Sequence, residues 1–169
     1  MSRTVFSAVC VALLAAAIGP AASQRLIDRA QRDDIAVVHR DDPEMAAAMD
    51  KARATLPDFL ALARAPRRSM SNFAVKVAIG DPHTEAEYFW IASFKERDGR
   101  FTGRINNTPR SVKSVKIGQT IAFSQDEIVD WLYLDNGKMK GNYTACVLLK
   151  REPGQAEAFK KQFGLECDL

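Results

Sequence analysis

Two groups of side chains in this sequence have types and spacing that chemistry could use. His83, Glu85 and Glu87 stand at alternate positions, so an extended chain would point all three the same way. Such a set could bind a metal weakly. No second histidine or cysteine lies nearby in sequence to close the site, and the competing reading is a polar turn residue, so no metal is expected. Asp126, Glu127 and Asp130 form the second group, just ahead of Trp131. Paired carboxylates do acid–base work when their surroundings separate their pKa values, and with His83 they would make a small hydrolase site. The competing reading is a charged hairpin edge that discourages strand-to-strand aggregation. Asp130 and Trp131 are neighbours in an alternating run, so Asp130 should face away from the Trp131 side. His39 has no evident partner. No Ser, Thr or Cys stands in a nucleophile motif and no glycine-rich phosphate loop is present, so no cofactor is expected.

The elements that would position these groups are clearest between Glu87 and Leu149. Asp98-Gly99 separates Tyr88–Phe94 from Phe101–Ile105, and Asn136-Gly137 separates Ile128–Leu134 from Met139–Leu149. Both dipeptides suit two-residue hairpin turns, which need positive φ. Tyr88, Trp90, Ala92 and Phe94 should share one face, and Phe89, Ile91 and Ser93 the other. Tyr143, Ala145, Val147 and Leu149 alternate as a strand would, while Cys146 and Leu148 make the opposite face apolar near its end. Phe73, Val75, Val77 and Ile79 alternate with Ala74, Lys76 and Ala78, the cleanest strand pattern in the chain. Ile117, Ile121 and Phe123 begin further strands, with Gly118 as a turn or bulge.

Ahead of the strands, Asp42-Pro43-Glu44 reads as a helix start: an N-cap, a proline at the first helical position and an acid beside the dipole. Met45, Ala48, Met49 and Ala52 follow at helical spacing. Pro57 would cost about 3 kcal/mol inside a helix. Thr55 is therefore expected to cap a second helical segment carrying Leu56, Phe59, Leu60 and Ala63; a kink in one long helix is the alternative. A short helix, Gln155–Phe163, closes the chain, with Gly164 as its stop.

The first residues, Met-Ser-Arg, precede an apolar run from Val5 to Ile18 and the small-residue exit Gly19-Pro20-Ala21-Ala22-Ser23. This is the layout of a secretory signal over residues 1–23. The run is shorter than the roughly 20 apolar residues a membrane anchor needs, so no membrane span is expected after cleavage. Arg3 is the one charged residue removed, which lowers the net charge of +3 by one. That is too close to neutral to argue for nucleic acid. Of three cysteines, Cys10 leaves with the signal, and Cys146 and Cys167 remain as a pair in an oxidising compartment. We expect them to form a disulfide. A charged lead-in spans 24–41, with Ile35–Val38 as an edge strand or extended tether, and a single domain spans 42–169.

A distributed set of residues also resembles a known family. Asp42-Pro43-Glu44-Met45 with Ala52-Arg53 and Phe59, Phe73-Ala74-Val75-Lys76, Glu87-Tyr88-Phe89-Trp90 and Gly103-Arg104-Ile105-Asn106-Asn107 with Pro109 carry it. So do Ile117-Gly118, Ile128-Val129-Asp130-Trp131, Gly137-Lys138 and Gly141-Asn142-Tyr143-Thr144. Together they resemble the bacterial YegJ-like proteins, which carry the domain of unknown function numbered 2314. The resemblance implies no established activity and no catalytic residues. The fold expected is α+β: helices packed on a bent antiparallel sheet, with a small SH3-like barrel as its variant, and a short C-terminal helix. The function expected is an exported, periplasmic or secreted, non-enzymatic domain that binds a protein or a cell-envelope component. Its candidate surface is the aromatic and amide set Trp90, Asn106, Asn107, Asp130, Trp131 and Tyr143, against the reading that both tryptophans are core.

Overall fold

The computed structural model describes residues 42–82, 86–165 and Cys167. The expected signal at 1–23, the lead-in at 24–41, and His83 and Glu85 lie outside the described residues. The element order is α1 (Pro43–Arg64), β1 (Met70–Ile79), β2 (Glu87–Arg97), β3 (Arg100–Ile105), β4 (Thr120–Ser124), β5 (Ile128–Asp135), β6 (Lys138–Gly141), α2 (Tyr143–Arg151) and α3 (Pro153–Phe163).

Helix α1 starts where the sequence says. Asp42 accepts hydrogen bonds from the Glu44 and Met45 N–H groups at 2.9 and 3.1 Å, and Pro43 opens the first turn. Across the expected break the helix is continuous. Thr55 does not cap a second segment; its hydroxyl donates back to the Lys51 and Ala52 carbonyls inside the helix. Pro57 points to solvent, while Ala52, Leu56, Phe59 and Leu60 are buried on one stripe. That burial, at about 1.5–3 kcal/mol for each large side chain, offsets the missing proline donor. The Trp131 indole N–H donates to the Ala52 carbonyl at 3.0 Å, one residue before the carbonyl that Pro57 leaves unserved.

The six strands form one antiparallel sheet in the order β4-β3-β2-β1-β5-β6. It stays open, with β4 and β6 as its edges, so the barrel variant does not occur. The first face carries Val75, Val77, Phe89, Ile91, Phe101, Phe123 and Trp131 against α1. Phe59 stacks on Trp131 at 4.9 Å between ring centroids. The second face carries Ala74, Trp90 and Leu132 against Cys146 and Leu149 of α2 and Phe159 and Phe163 of α3. The expected facing of β2 holds only as far as Ala92. At Ser93 (φ 51°) the register with β3 shifts, and Phe94 crosses to the Phe89 and Ile91 side.

The larger correction follows the Asn136-Gly137 turn. Strand β6 is only Lys138–Gly141, and the expected strand through Leu149 is helix α2. Gly141 (φ 77°) and Asn142 (φ 57°) are successive left-handed residues that end the strand and turn the chain. Thr144 through Leu149 are all buried, facing the second core on one side and Met45 and Ala48 of α1 on the other. A segment buried all round shows no helical period, and β-branched residues then mimic a strand. Exposed ion pairs from Arg151 to Asp42 and Glu44, with Lys150 also on Glu44, tie the end of α2 to the start of α1.

Candidate functional site

The chemistry-bearing residues fall in two places, one inside the molecule and one outside. Register sets Trp90 opposite Lys76 and Lys76 opposite Asp130, so the three form one row across the central strands on the second face. Residues paired in this way share a face. Asp130 is fully buried and spends its carboxylate on the start of α2: Oδ1 accepts from the Trp131 and Tyr143 N–H groups, and Oδ2 from the Thr144 N–H at 2.9 Å and hydroxyl at 2.6 Å. It is an N-cap supplied by a distant strand, set against the positive end of the helix dipole. Lys76, 3% exposed, donates to the Thr144 hydroxyl at 3.0 Å and lies over the Trp90 ring at 4.9 Å. Burial pushes the Asp130 carboxyl above the ordinary carboxylate range, against the pull of Lys76 and of its hydrogen bonds to Thr144 and Trp131.

This row therefore holds the fold together. Trp90 is 1% and Trp131 7% exposed, so both tryptophans are core. Asn107 is buried and clamps β2, accepting from the Trp90 N–H at 2.8 Å, and the Asn106 N–H donates to the Trp90 carbonyl. Tyr143 is half-buried, edge-on to Trp131 at 5.5 Å. The six residues do not gather on one surface. Nor does the carboxylate group converge: Asp126 and Glu127 are exposed and engage Ser124, whereas Asp130 is buried against α2 and shares no hydrogen-bond partner with them. Glu87, the last member of the His83 set, gives its carboxylate to the backbone N–H groups of Arg110, Ser111 and Val112.

The outer place is the part of the second face that α2 and α3 leave uncovered. Lys95 and Arg97 of β2 and Arg100 and Arg104 of β3 all face it, because their partners are Thr102, Arg100, Ser124 and Thr120 respectively. All four bases are exposed. Arg97 and Arg100 lie directly across the strand pair, an arrangement that destabilises a sheet by itself. Among the described residues the ion pair there, Arg97 with Asp98, is almost wholly solvated and contributes little. This surface was readable from the Asp98-Gly99 hairpin, whose register places Arg97 opposite Arg100; reasoning from aromatic residues passed it over.

The comparisons agree with the resemblance. The model of the family described as "Uncharacterized protein conserved in bacteria (DUF2314)" matches residues 42–167. The "Uncharacterized protein YegJ" of Escherichia coli (strain K12) is 33% identical over 113 residues, 67% of this chain and 72% of that protein. No solved structure matches the chain. The matched span takes in every strand and helix described above, and the chain belongs to the DUF2314 family.

Proposed function

We propose that this protein is an exported, non-enzymatic interaction domain of the bacterial cell envelope, whose contact surface is the uncovered basic half of the second sheet face. The observation that carries the reading is the set of four exposed bases, Lys95, Arg97, Arg100 and Arg104, on one rigid surface, two of them directly opposed at a cost to stability. A sheet keeps such an arrangement when something negative meets it. The signal-like residues 1–23 and the Cys146–Cys167 bond support export, because disulfides persist in oxidising compartments. Among the described residues no helix is long and apolar enough to cross a membrane. The partner is a protein or another envelope component, not nucleic acid. It replaces the aromatic surface expected from sequence, whose tryptophans are core.

Two measurements test this. Fractionating cells that express the full chain with a C-terminal tag should place a shortened product in the periplasm; full-length product in the cytoplasm would defeat the export reading. Crosslinking the protein in envelope extract should capture a component that a variant with Arg97, Arg100 and Arg104 changed to Glu loses. Equal capture by the two proteins would defeat the surface assignment.

A further inference from the structure

We propose that the β4 edge takes an extended acidic segment of a partner protein as a seventh strand, with its acidic side chains over the basic half of the second face. The inference rests on the interaction-domain reading above and names what that surface binds.

Backbone geometry supplies the first argument. Ile105 turns both its backbone groups toward β4, donating to the Gln119 carbonyl at 2.9 Å and accepting from the Gly118 N–H at 2.7 Å. Antiparallel ladders alternate, so Gly103 and Phe101 also face β4, opposite Ile121 and Phe123. The N–H and C=O groups of Thr120, Ala122 and Ser124 then point outward. Ser124 is already covered, since its N–H donates to Glu127 at 2.7 Å. Thr120 and Ala122 are left as an open pair, and among the described residues nothing pairs with that edge. Strand edges are ordinarily blunted by lysine, proline, a bulge or a covering helix. Strand β4, Thr-Ile-Ala-Phe-Ser, has none of these; it contains no charge and its register with β3 runs without a shift.

Charge and shape supply the second. Between the open edge and Arg104 stand only the short side chains of Ala122 and Thr120, while Ser124, opposite Arg100, holds the carboxylates of Glu127 and Asp126 at its hydroxyl. The next strand position lies about 10 Å from β3, two strand spacings, within joint reach of an arginine and a glutamate. On the first face the same edge offers half-buried Ile121, and Ile117 is 58% exposed in the approach to β4. The fitting segment therefore alternates acidic and apolar residues, and main-chain bonds give it affinity while the side chains give it selectivity. A second copy of this chain fits poorly, because self-pairing at β4 would bring two basic faces side by side. A phosphate-bearing surface would answer the charge but would leave the open backbone pair unused.

The test uses a labelled peptide with glutamate at alternate positions and valine between, measured by anisotropy on the purified protein. A second peptide of the same sequence carries N-methyl groups on the alternate residues that would donate to β4, which keeps its charge and blocks strand addition. Expected are binding of the first peptide, at least tenfold weaker binding of the second, and at least tenfold loss on Ala122→Pro or on Arg100→Glu with Arg104→Glu. Proline at 122 replaces an outward N–H, so the ladder with β3 and the melting temperature should persist. Equal binding of the two peptides overturns strand addition, as does binding only to phosphatidylglycerol vesicles, a concentration-dependent dimer through β4, or no binding to a folded protein. If the peptide fails while the charge-reversed variant still loses its envelope crosslink, strand addition falls and the interaction surface stands. If both fail, both fall.

Discussion

Lys76 and Asp130 face each other across β1 and β5 with almost no exposure, so each neutralises a charge that the core would otherwise reject. Asp130→Ala should cost about 3–5 kcal/mol, since it strands the Lys76 ammonium and uncaps α2 together; urea unfolding measures it, and a loss under 1 kcal/mol would show that the pair is dispensable. The pH dependence has a definite sign. Burial raises the folded-state pKa of Asp130 above its ordinary value of 3.8, so the folded protein binds the proton more readily than the unfolded chain. The stability owed to this group therefore grows as pH falls through the folded pKa, and is lost as pH rises through it. Asp42 and Glu44 act oppositely: Arg151 and Lys150 hold them below the ordinary range, and their contribution is lost as pH falls. Comparing wild type with Asp130→Asn at each pH isolates the buried group. The wild-type advantage should widen as pH falls toward the ordinary value of 3.8; a narrowing would mean that Lys76 and the hydrogen bonds outweigh burial. Trp131 belongs to the same scale. Trp131→Ala should cost about 3–5 kcal/mol, removing the stack on Phe59 and the indole bond to Ala52. An unchanged melting curve would contradict its place in the core.

The two hairpin turns were legible because their signals are local: Asp98-Gly99 and Asn136-Gly137 both adopt positive φ, as two-residue turns require. The α1 start was legible for the same reason, with cap and proline adjacent in sequence. Helix α2 was not, because its cap comes from Asp130, in a different strand, and its residues are buried on opposite sides by α1 and α3. Continuity through Pro57 was hidden likewise; it rests on the stripe Ala52, Leu56, Phe59 and Leu60 being buried against the sheet. The candidate site shows the same limit. Alternation correctly turned Asp130 away from Trp131, but only the packed α2 could show that the side it faces is interior. Two glycines separate local from tertiary demands. Gly137 (φ 75°) has nothing near the position of a Cβ, so Gly137→Val should cost only the left-handed penalty, about 1–2 kcal/mol. At Gly141 (φ 77°) a Cβ would overlap the Trp131 carbonyl and ring. Gly141→Ala should therefore destabilise more than Gly137→Val despite the smaller side chain. The reverse order in thermal denaturation would mean that β6 and Trp131 separate without cost.

At the scale of the whole molecule, the sheet is covered unequally. The first face has α1 along it; the second is covered by α2 and α3 over β1, β5, β6 and part of β2. That uneven cover leaves the basic surface open, and it makes α3 the element on which the covered half depends. Phe159 and Phe163 pack together at 4.6 Å between centroids, and Leu165 joins the same core with Trp90 and Leu132. Gly164 (φ 60°) stops the helix, its N–H bonding the Lys160 carbonyl, and sends the chain back toward α2. There Cys167 is bonded to Cys146, with 5.4 Å between Cα atoms, inside the usual range for a disulfide. The pairing expected from the two remaining cysteines is the one present. With the partners at a sequence separation of 21, closing the loop should stabilise the fold by about 3 kcal/mol on the chain-entropy account. It pins α3 over Trp90, and so keeps the buried Lys76 and Asp130 row dry. Denaturing the purified protein without reductant, alkylating it and weighing it should show no added alkyl groups at Cys146 and Cys167, and two after reduction; two before reduction would refute the bond. Cys146→Ala with Cys167→Ala should lower stability by a similar amount while leaving the β4 edge and the four bases in place, because none of them belongs to the core that α3 covers. Loss of acidic-peptide binding together with loss of the disulfide would instead show that the covered and open halves of the second face are coupled.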